Sequence, residues 1–431
     1  MRRVTGVTGA AIAAVMLPAL AVASEVGDAL PQHLYDGTIS QLREAAINRC
    51  FEYNPDACFA AGLAELIGGI EGLSRALYRH GAMTPRAPAA AILLGIEADG
   101  MPRPSNRNPE PLSYEQLRAI LGDFVAALDE AKMYFEVGDL GSQVIIIDPL
   151  RVRIDFDGDG TASEKETLGL LLGGVADFAD IPAHDGPPPG GKVKSKGPEP
   201  EAVDTTVGFD SADSVWFAGY TQIVAAPVDL LLAHDFSEFF NAYLHRVFPE
   251  ADLPMQPYSN GGTLFMDSES DAFIADLIAA IHTADFPVID KERLAGVLER
   301  LTTITSLSRR NWELILAETD DTRELVPSPI QTSLVPDMVV TEETVRAWAA
   351  TLDTLDQIFA GELLVPHWRF KQGFDLKAYF ETATETDLVM LIAGQGALPF
   401  IKPGPIADAQ SFAEANRVFG TDWLNYAFWF N

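Results

Sequence analysis

Ser113-Tyr-Glu-Gln-Leu-Arg-Ala-Ile-Leu-Gly-Asp-Phe-Val-Ala-Ala-Leu-Asp-Glu-Ala-Lys-Met-Tyr-Phe-Glu-Val137 sets the reading of the fold. Leu117, Ile120, Leu121, Phe124, Val125 and Leu128 return every three or four residues, the period of one buried helix face. Ser113 followed by Gln116 is a capping-box pattern that starts such a helix. Helical spacing also runs through 39–49 and 58–80 before this stretch. After it come 213–248, 270–283, 291–318 and 341–362, the last opening on Thr341-Glu-Glu. The expected fold class is therefore mainly α, a multi-helix globular protein. Residues 83–111, rich in Pro and Arg, read as irregular, and short helices with Pro/Gly turns follow Gly361. No repeat period or long heptad seam interrupts this pattern.

The chain of 431 residues exceeds one ordinary hydrophobic core. Asp185-Gly-Pro-Pro-Pro-Gly-Gly-Lys and Lys196-Gly-Pro-Glu-Pro mark a segment with little apolar content. The division expected is a leader at 1–23, an N-terminal helical domain at 24–180, a linker or mobile loop at 181–209 and a C-terminal helical domain at 210–431. A long insertion within one domain is the competing organisation. Arg2 and Arg3, the apolar stretch 7–22 and Ala21-Val22-Ala23 form a secretory signal pattern, cleaved near Ser24. Periplasmic or secreted localisation follows as an expectation. A formal charge of −32 opposes nucleic acid and anionic lipid, and it favours cations. No later stretch is expected to insert stably in a membrane.

Asp155-Phe-Asp157-Gly-Asp159-Gly160-Thr161-Ala162-Ser163-Glu164-Lys165-Glu166 puts oxygen donors at positions 1, 3, 5, 9 and 12, with glycine at 6. Over these twelve residues the chain resembles an EF-hand-type calcium-binding loop. The resemblance implies Ca²⁺ held by Asp155, Asp157, Asp159, the Thr161 carbonyl, Ser163 and a bidentate Glu166. Three aspartates within five residues repel one another unless a cation neutralises them, and Gly160 permits the left-handed turn. The flanks depart from the EF-hand. Val144-Ile-Ile-Ile147 and the alternation of Arg151, Val152, Arg153 and Ile154 predict an extended lead-in, split by Asp148-Pro149. The exit reads as a helix over 164–178. No second loop matches: Asp267-Ser-Glu269-Ser-Asp271 fits a helix N-terminus instead. The bland alternative is a solvated acidic turn. A lone loop suits a structural clamp better than a sensor, which works by opening paired helices.

Cys50 and Cys58 are the only cysteines, and in an exported chain they are expected to form a disulfide, with reduced thiols or a metal pair as alternatives. His234, Glu238, Asn241 and His245 would share one helix face if 213–248 were continuous, and His367 lies in Pro366-His367-Trp368-Arg369-Phe370. Catalytic residues are not assignable from these groups alone. The aromatic end, Trp423 to Phe430, is expected to dock into the core. The function expected is an exported calcium-binding helical protein that acts by binding a protein or small-molecule ligand. The alternative is an exported hydrolase using His234, Glu238 and His367. A third possibility is a loop that presents calcium to a carboxylate or sugar.

Overall fold

Helices form where the three-to-four spacing of apolar residues predicts them, and caps set their starts. In this computed structural model the described residues are 25–52, 54–83, 106–138, 144–173, 204–334, 339–420 and 423–431. The order begins α1 (Glu25–Asp36), α2 (Ile39–Phe51), α3 (Pro55–Arg79), α4 (Tyr114–Val137), β1 (Ile145–Ile147) and α5 (Leu168–Gly173). Next come β2 (Val207–Phe209), α6 (Ser211–Leu232), α7 (Ser237–Tyr243), α8 (Ser268–His282), β3 (Asp285–Pro287) and α9 (Lys291–Ile315). The last part holds α10 (Glu342–Phe359), β4 (Gly373–Phe374), α11 (Leu376–Thr382) and β5 (Glu385–Asp387). It closes with α12 (Leu388–Ala393), β6 (Ile401–Lys402), α13 (Ala413–Phe419) and α14 (Trp423–Phe430). The protein is mainly α. Its strands pair only as antiparallel two-stranded ribbons among the described residues: β1 with β2, β3 with β5, β4 with β6.

α6 is the hub. It is apolar nearly all round, as a helix must be when it is covered on several sides, and it packs on α9 and α4. α4 then packs on α3, and α3 on α2. Phe124, Val125 and Leu128 of α4 meet Ala225 and Leu232 of α6. Phe59 of α3 lies against Phe135, Phe209 and Phe217. Side chains before residue 174 and after residue 206 therefore share clusters. Residues 174–203, most of the Pro/Gly-rich segment, lie outside the described residues, as does 1–23, the segment expected to be a leader. The tail of that segment is ordered: β2 buries all three of its residues and pairs with Ile145–Ile147. Among the described residues two helices, α3 and α6, are long and apolar enough to cross a membrane by length and composition. Both serve here as packed helices.

Ser113 makes the capping box with Gln116, and Thr341 makes one with Thr344. Asp267 caps α8 by accepting from the Ser270 amide. Cys50 and Cys58 are joined in a disulfide that ties the end of α2 to the first turn of α3. α14 docks inward. Phe430 is fully buried against Trp312, Trp348 and Phe419, while the Trp216 indole N–H donates to the Trp429 carbonyl and the Trp429 indole to Leu325.

Two expectations fail in detail. The helix read over 213–248 breaks after Leu232. There the Asp235 amide donates to the Pro287 carbonyl, and its carboxylate accepts from the Ser237 amide to start α7. The polar stripe of His234, Glu238, Asn241 and His245 therefore does not exist as one face. The exit helix read over 164–178 begins only at Leu168, and its described part ends at Gly173.

A charged network holds α4, α6 and α9 together. Arg300 donates to both carboxylate oxygens of Asp129 at 2.6 and 2.7 Å, to Asp229 at 2.7 Å and to the Gln222 side chain at 2.7 Å. Arg293 reaches the other oxygen of Asp229 at 2.6 Å. The network floors an open groove of about 670 Å³ that passes Gly122, Ala126 and Gly296.

Candidate metal centre

The acidic loop is closed at its base by backbone pairing, not by two helices. The Ile154 amide donates to the Glu166 carbonyl at 3.1 Å and the Leu168 amide to the Val152 carbonyl at 2.9 Å. This short ladder explains why Glu166 stands outside a helix. Its carboxylate is turned across the loop, accepting from the Asp157 amide at 3.1 Å and the Ser163 amide at 2.8 Å. The EF-hand resemblance thus stays with the spacing of the donors; a helix–loop–helix pair is not formed around it.

Within the loop, Asp155, Asp157 and Asp159 each place an oxygen within 4.8 Å of the others. Amides organise them: Gly160 donates to Asp155 Oδ2, Asp159 to Asp157 Oδ1, and Thr161 to Asp159 Oδ1, at 2.8–2.9 Å. Gly158 and Gly160 supply the positive-φ turns, at 77° and 97°. Asp155 is only 2% exposed, and its Oδ1 is buried without a hydrogen-bond partner. Burial raises the Asp155 pKa above the usual carboxylate range, and burial first, then the Glu166 charge, does the same to Asp157. A buried, unpartnered carboxylate oxygen is costly unless a cation or proton meets it. Ser163 Oγ accepts from the Lys165 amide at 3.4 Å, and the Thr161 side chain is exposed. The structure thus gathers the three aspartates, and it leaves Glu166 on backbone amides.

Residues outside the loop hold it in place, and sequence spacing did not point to them. On α3, Glu71 Oε1 accepts from the Asp155 amide at 3.2 Å, Arg75 Nη2 donates to Glu71 Oε2 at 2.9 Å, and Arg75 Nε lies 3.3 Å from Asp155 Oδ2. A Cβ on Gly158 would lie 2.5 Å from the Ser74 carbonyl oxygen and 2.8 Å from Arg75 Cα, whereas one on Gly160 would meet nothing within 4 Å. Gly158→Ala should therefore cost about 3 kcal/mol, combining left-handed strain with a backbone clash. Gly160→Ala should cost about 1–2 kcal/mol, strain alone. Urea denaturation of the two variants tests this, and equal losses would remove the packing argument.

A second carboxylate group was not read from the sequence. Asp210, Glu318 and Glu324 bring one oxygen apiece within 4.8 Å of each other. Asp213 lies buried beside them and accepts from the Asp210 amide at 2.9 Å. Burial, reinforced by the neighbouring acids, pushes Glu318 up to about 8 and Glu324 up to about 7, and holds Asp213 well above the ordinary range. Arg323, the nearest base in sequence, is turned to the Asp204 and Thr206 carbonyls. The only hint was the acid density of Glu318, Asp320, Asp321 and Glu324; nothing local tied it to Asp210.

His234, His245 and His367 do not converge. His234 is buried, with Nδ1 on the Leu230 carbonyl at 2.7 Å and Nε2 on Thr386 Oγ1 at 2.8 Å; burial lowers its pKa. Thr386 Oγ1 also meets the Tyr379 hydroxyl at 2.8 Å, so this chain ties α6 to α11 and β5. His245 pairs with Asp276 at 3.1 Å, and His367 bonds the Leu391 carbonyl at 3.1 Å. Glu238 and Asn241 are exposed. Each ring serves a different packing contact. Compared with known proteins, the chain matches no family model, no curated protein and no solved structure.

Proposed function

We propose that the chain is a calcium-stabilised helical protein that works outside the cytoplasm by binding a protein or small-molecule ligand. Calcium has a structural role at 155–166. The observation that carries the ion is Asp155, whose Oδ1 is buried and unpartnered and whose carboxylate brings an oxygen within 4.8 Å of Asp157 and Asp159. The donors are all hard oxygens, which suits Ca²⁺, a cation that takes roughly six to eight oxygens at about 2.3–2.6 Å. Asp155, Asp157 and Asp159 would hold it, with Thr161, Ser163 and Glu166 as the further donors the spacing supplies. Glu166 would have to leave the Asp157 and Ser163 amides to join them. The ion would add its binding energy to folding through a loop that touches α3, and so clamp the lead-in strand to the helical body.

Thermal melts with and without chelator test the reading. Calcium at about a hundred times its Kd should stabilise the fold by about 2.7 kcal/mol. Asp155→Asn should lose that increment while magnesium at the same concentration gives a smaller one. Identical melts in calcium and in chelator would end the proposal. The hydrolase alternative draws no support from His234, Glu238 and His367, whose contacts lie apart.

A further inference from the structure

We propose that Arg75 is a resident counter-cation that competes with the ion for Asp155 and so sets how tightly the loop binds calcium; this rests on the calcium reading above. Among the described residues Arg75 is the base that pairs with one of the three clustered aspartates. The other bases close in sequence are engaged elsewhere or exposed. Arg153 lies 3.8 Å from the exposed Glu164, Arg151 stacks 4.1 Å over the Tyr35 ring, and Lys165 faces solvent.

The placement of Arg75 is imposed by its neighbours. Glu71 is buried, and its two oxygens are divided between the Asp155 amide and the Arg75 guanidinium. The turn of α3 that carries Ser74 and Arg75 forms the wall against which Gly158 packs. The guanidinium is thus braced against the loop, on Asp155 Oδ2, while Oδ1 is left bare. This arrangement has two opposite effects on a divalent ion. It keeps the first ligand in position when no ion is present, because Arg75 offsets part of the repulsion among the aspartates. It also places a fixed positive charge one carboxylate away from the incoming ion, and like charges at that separation repel. The Arg75 side chain is 45% exposed, so once the ion has taken Asp155 the guanidinium can turn to water. Only one of the two effects can dominate, and their signs differ. If Arg75 chiefly positions Asp155, its removal weakens binding. If it chiefly competes, its removal strengthens binding. With Asp155 Oδ2 also held by the Gly160 amide, a contact that does not involve Arg75, positioning survives without the guanidinium, and competition is the net effect.

Calorimetric calcium titration of the full chain, at low ionic strength and after chelator treatment, decides between them. Arg75→Gln and Arg75→Met, which remove the charge, should bind calcium tighter by about tenfold or more, while their ion-free forms melt at lower temperature. Arg75→Lys, which keeps the charge and loses the forked hydrogen bonds, should stay within about threefold of the natural chain. Unchanged or weaker binding in both neutral variants, with normal circular dichroism, would overturn the counter-cation role and leave the calcium site standing. No calcium uptake by the natural chain would overturn both.

Discussion

Arg300→Met should lower the unfolding free energy by about 3–5 kcal/mol, the range for breaking a buried ion network by removing one partner. Arg300 serves three helices at once, and the groups it leaves behind cannot all reach water. Asp229 and Gln222 are 7% and 3% exposed. Arg293 would still pair with one oxygen of Asp229, but the other, now met by Arg300 Nε at 2.7 Å, would be left buried without its donor. Asp129→Asn should cost far less, because its side chain is 46% exposed and the exposed part of an ion pair contributes little. Urea unfolding at neutral pH reads both. A loss below about 1 kcal/mol for Arg300→Met would mean that water enters through the groove and solvates the acids.

The carboxyl group formed by Asp210, Asp213, Glu318 and Glu324 should make the protein less stable as pH rises from acid to mildly alkaline conditions. Acids whose folded pKa is raised keep a proton that the unfolded chain has already released. The contribution is fully present below the ordinary carboxylate range near 4. It is lost as pH climbs through the folded values, about 7 for Glu324 and about 8 for Glu318. Solvent reaches part of Glu318, so the combined loss across that window should be about 2 kcal/mol, well under the undiscounted shifts. Asp213→Asn keeps this buried position neutral at every pH while its side-chain oxygen can still accept from the Asp210 amide. It should raise the melting temperature at pH 8 and flatten the curve between pH 5.5 and 8.5 in chelator-treated protein. A natural chain whose melting temperature is flat or rises over that window would refute the assignment.

Local signals carried much of the fold. The spacing in 113–137 and the Ser113 cap, like the acids of Asp267-Ser-Glu269-Ser-Asp271, act within one or two turns, so they can be read without knowing what packs where. α1 was not legible. Pro31 interrupts it, yet Leu30 and Leu34 are fully buried, and tertiary packing overrides the penalty. The break after Leu232 escaped notice for a related reason. The residues that end α6 do so by bonding to β3, more than fifty positions further on. At the metal centre the aspartate spacing was visible and the support was not. Glu71 and Arg75 stand 84 and 80 positions before Asp155, and only the α3 packing brings them near. The Asp210 group has the same character, since its members come from the cap of α6 and the loop after α9.

The inward docking of α14 has a consequence for the order in which the chain folds. Phe430 completes the cluster around Trp312 and Trp348, and the Asn431 side chain donates to the Trp216 carbonyl at 2.6 Å, 215 positions earlier. That cluster joins residues up to 215 positions apart, so its closure carries a long loop-closure cost that no single helix meets on its own. Until α14 docks, the apolar faces around Trp312 and Trp348 stay open to misassociation, even after the local helices have formed.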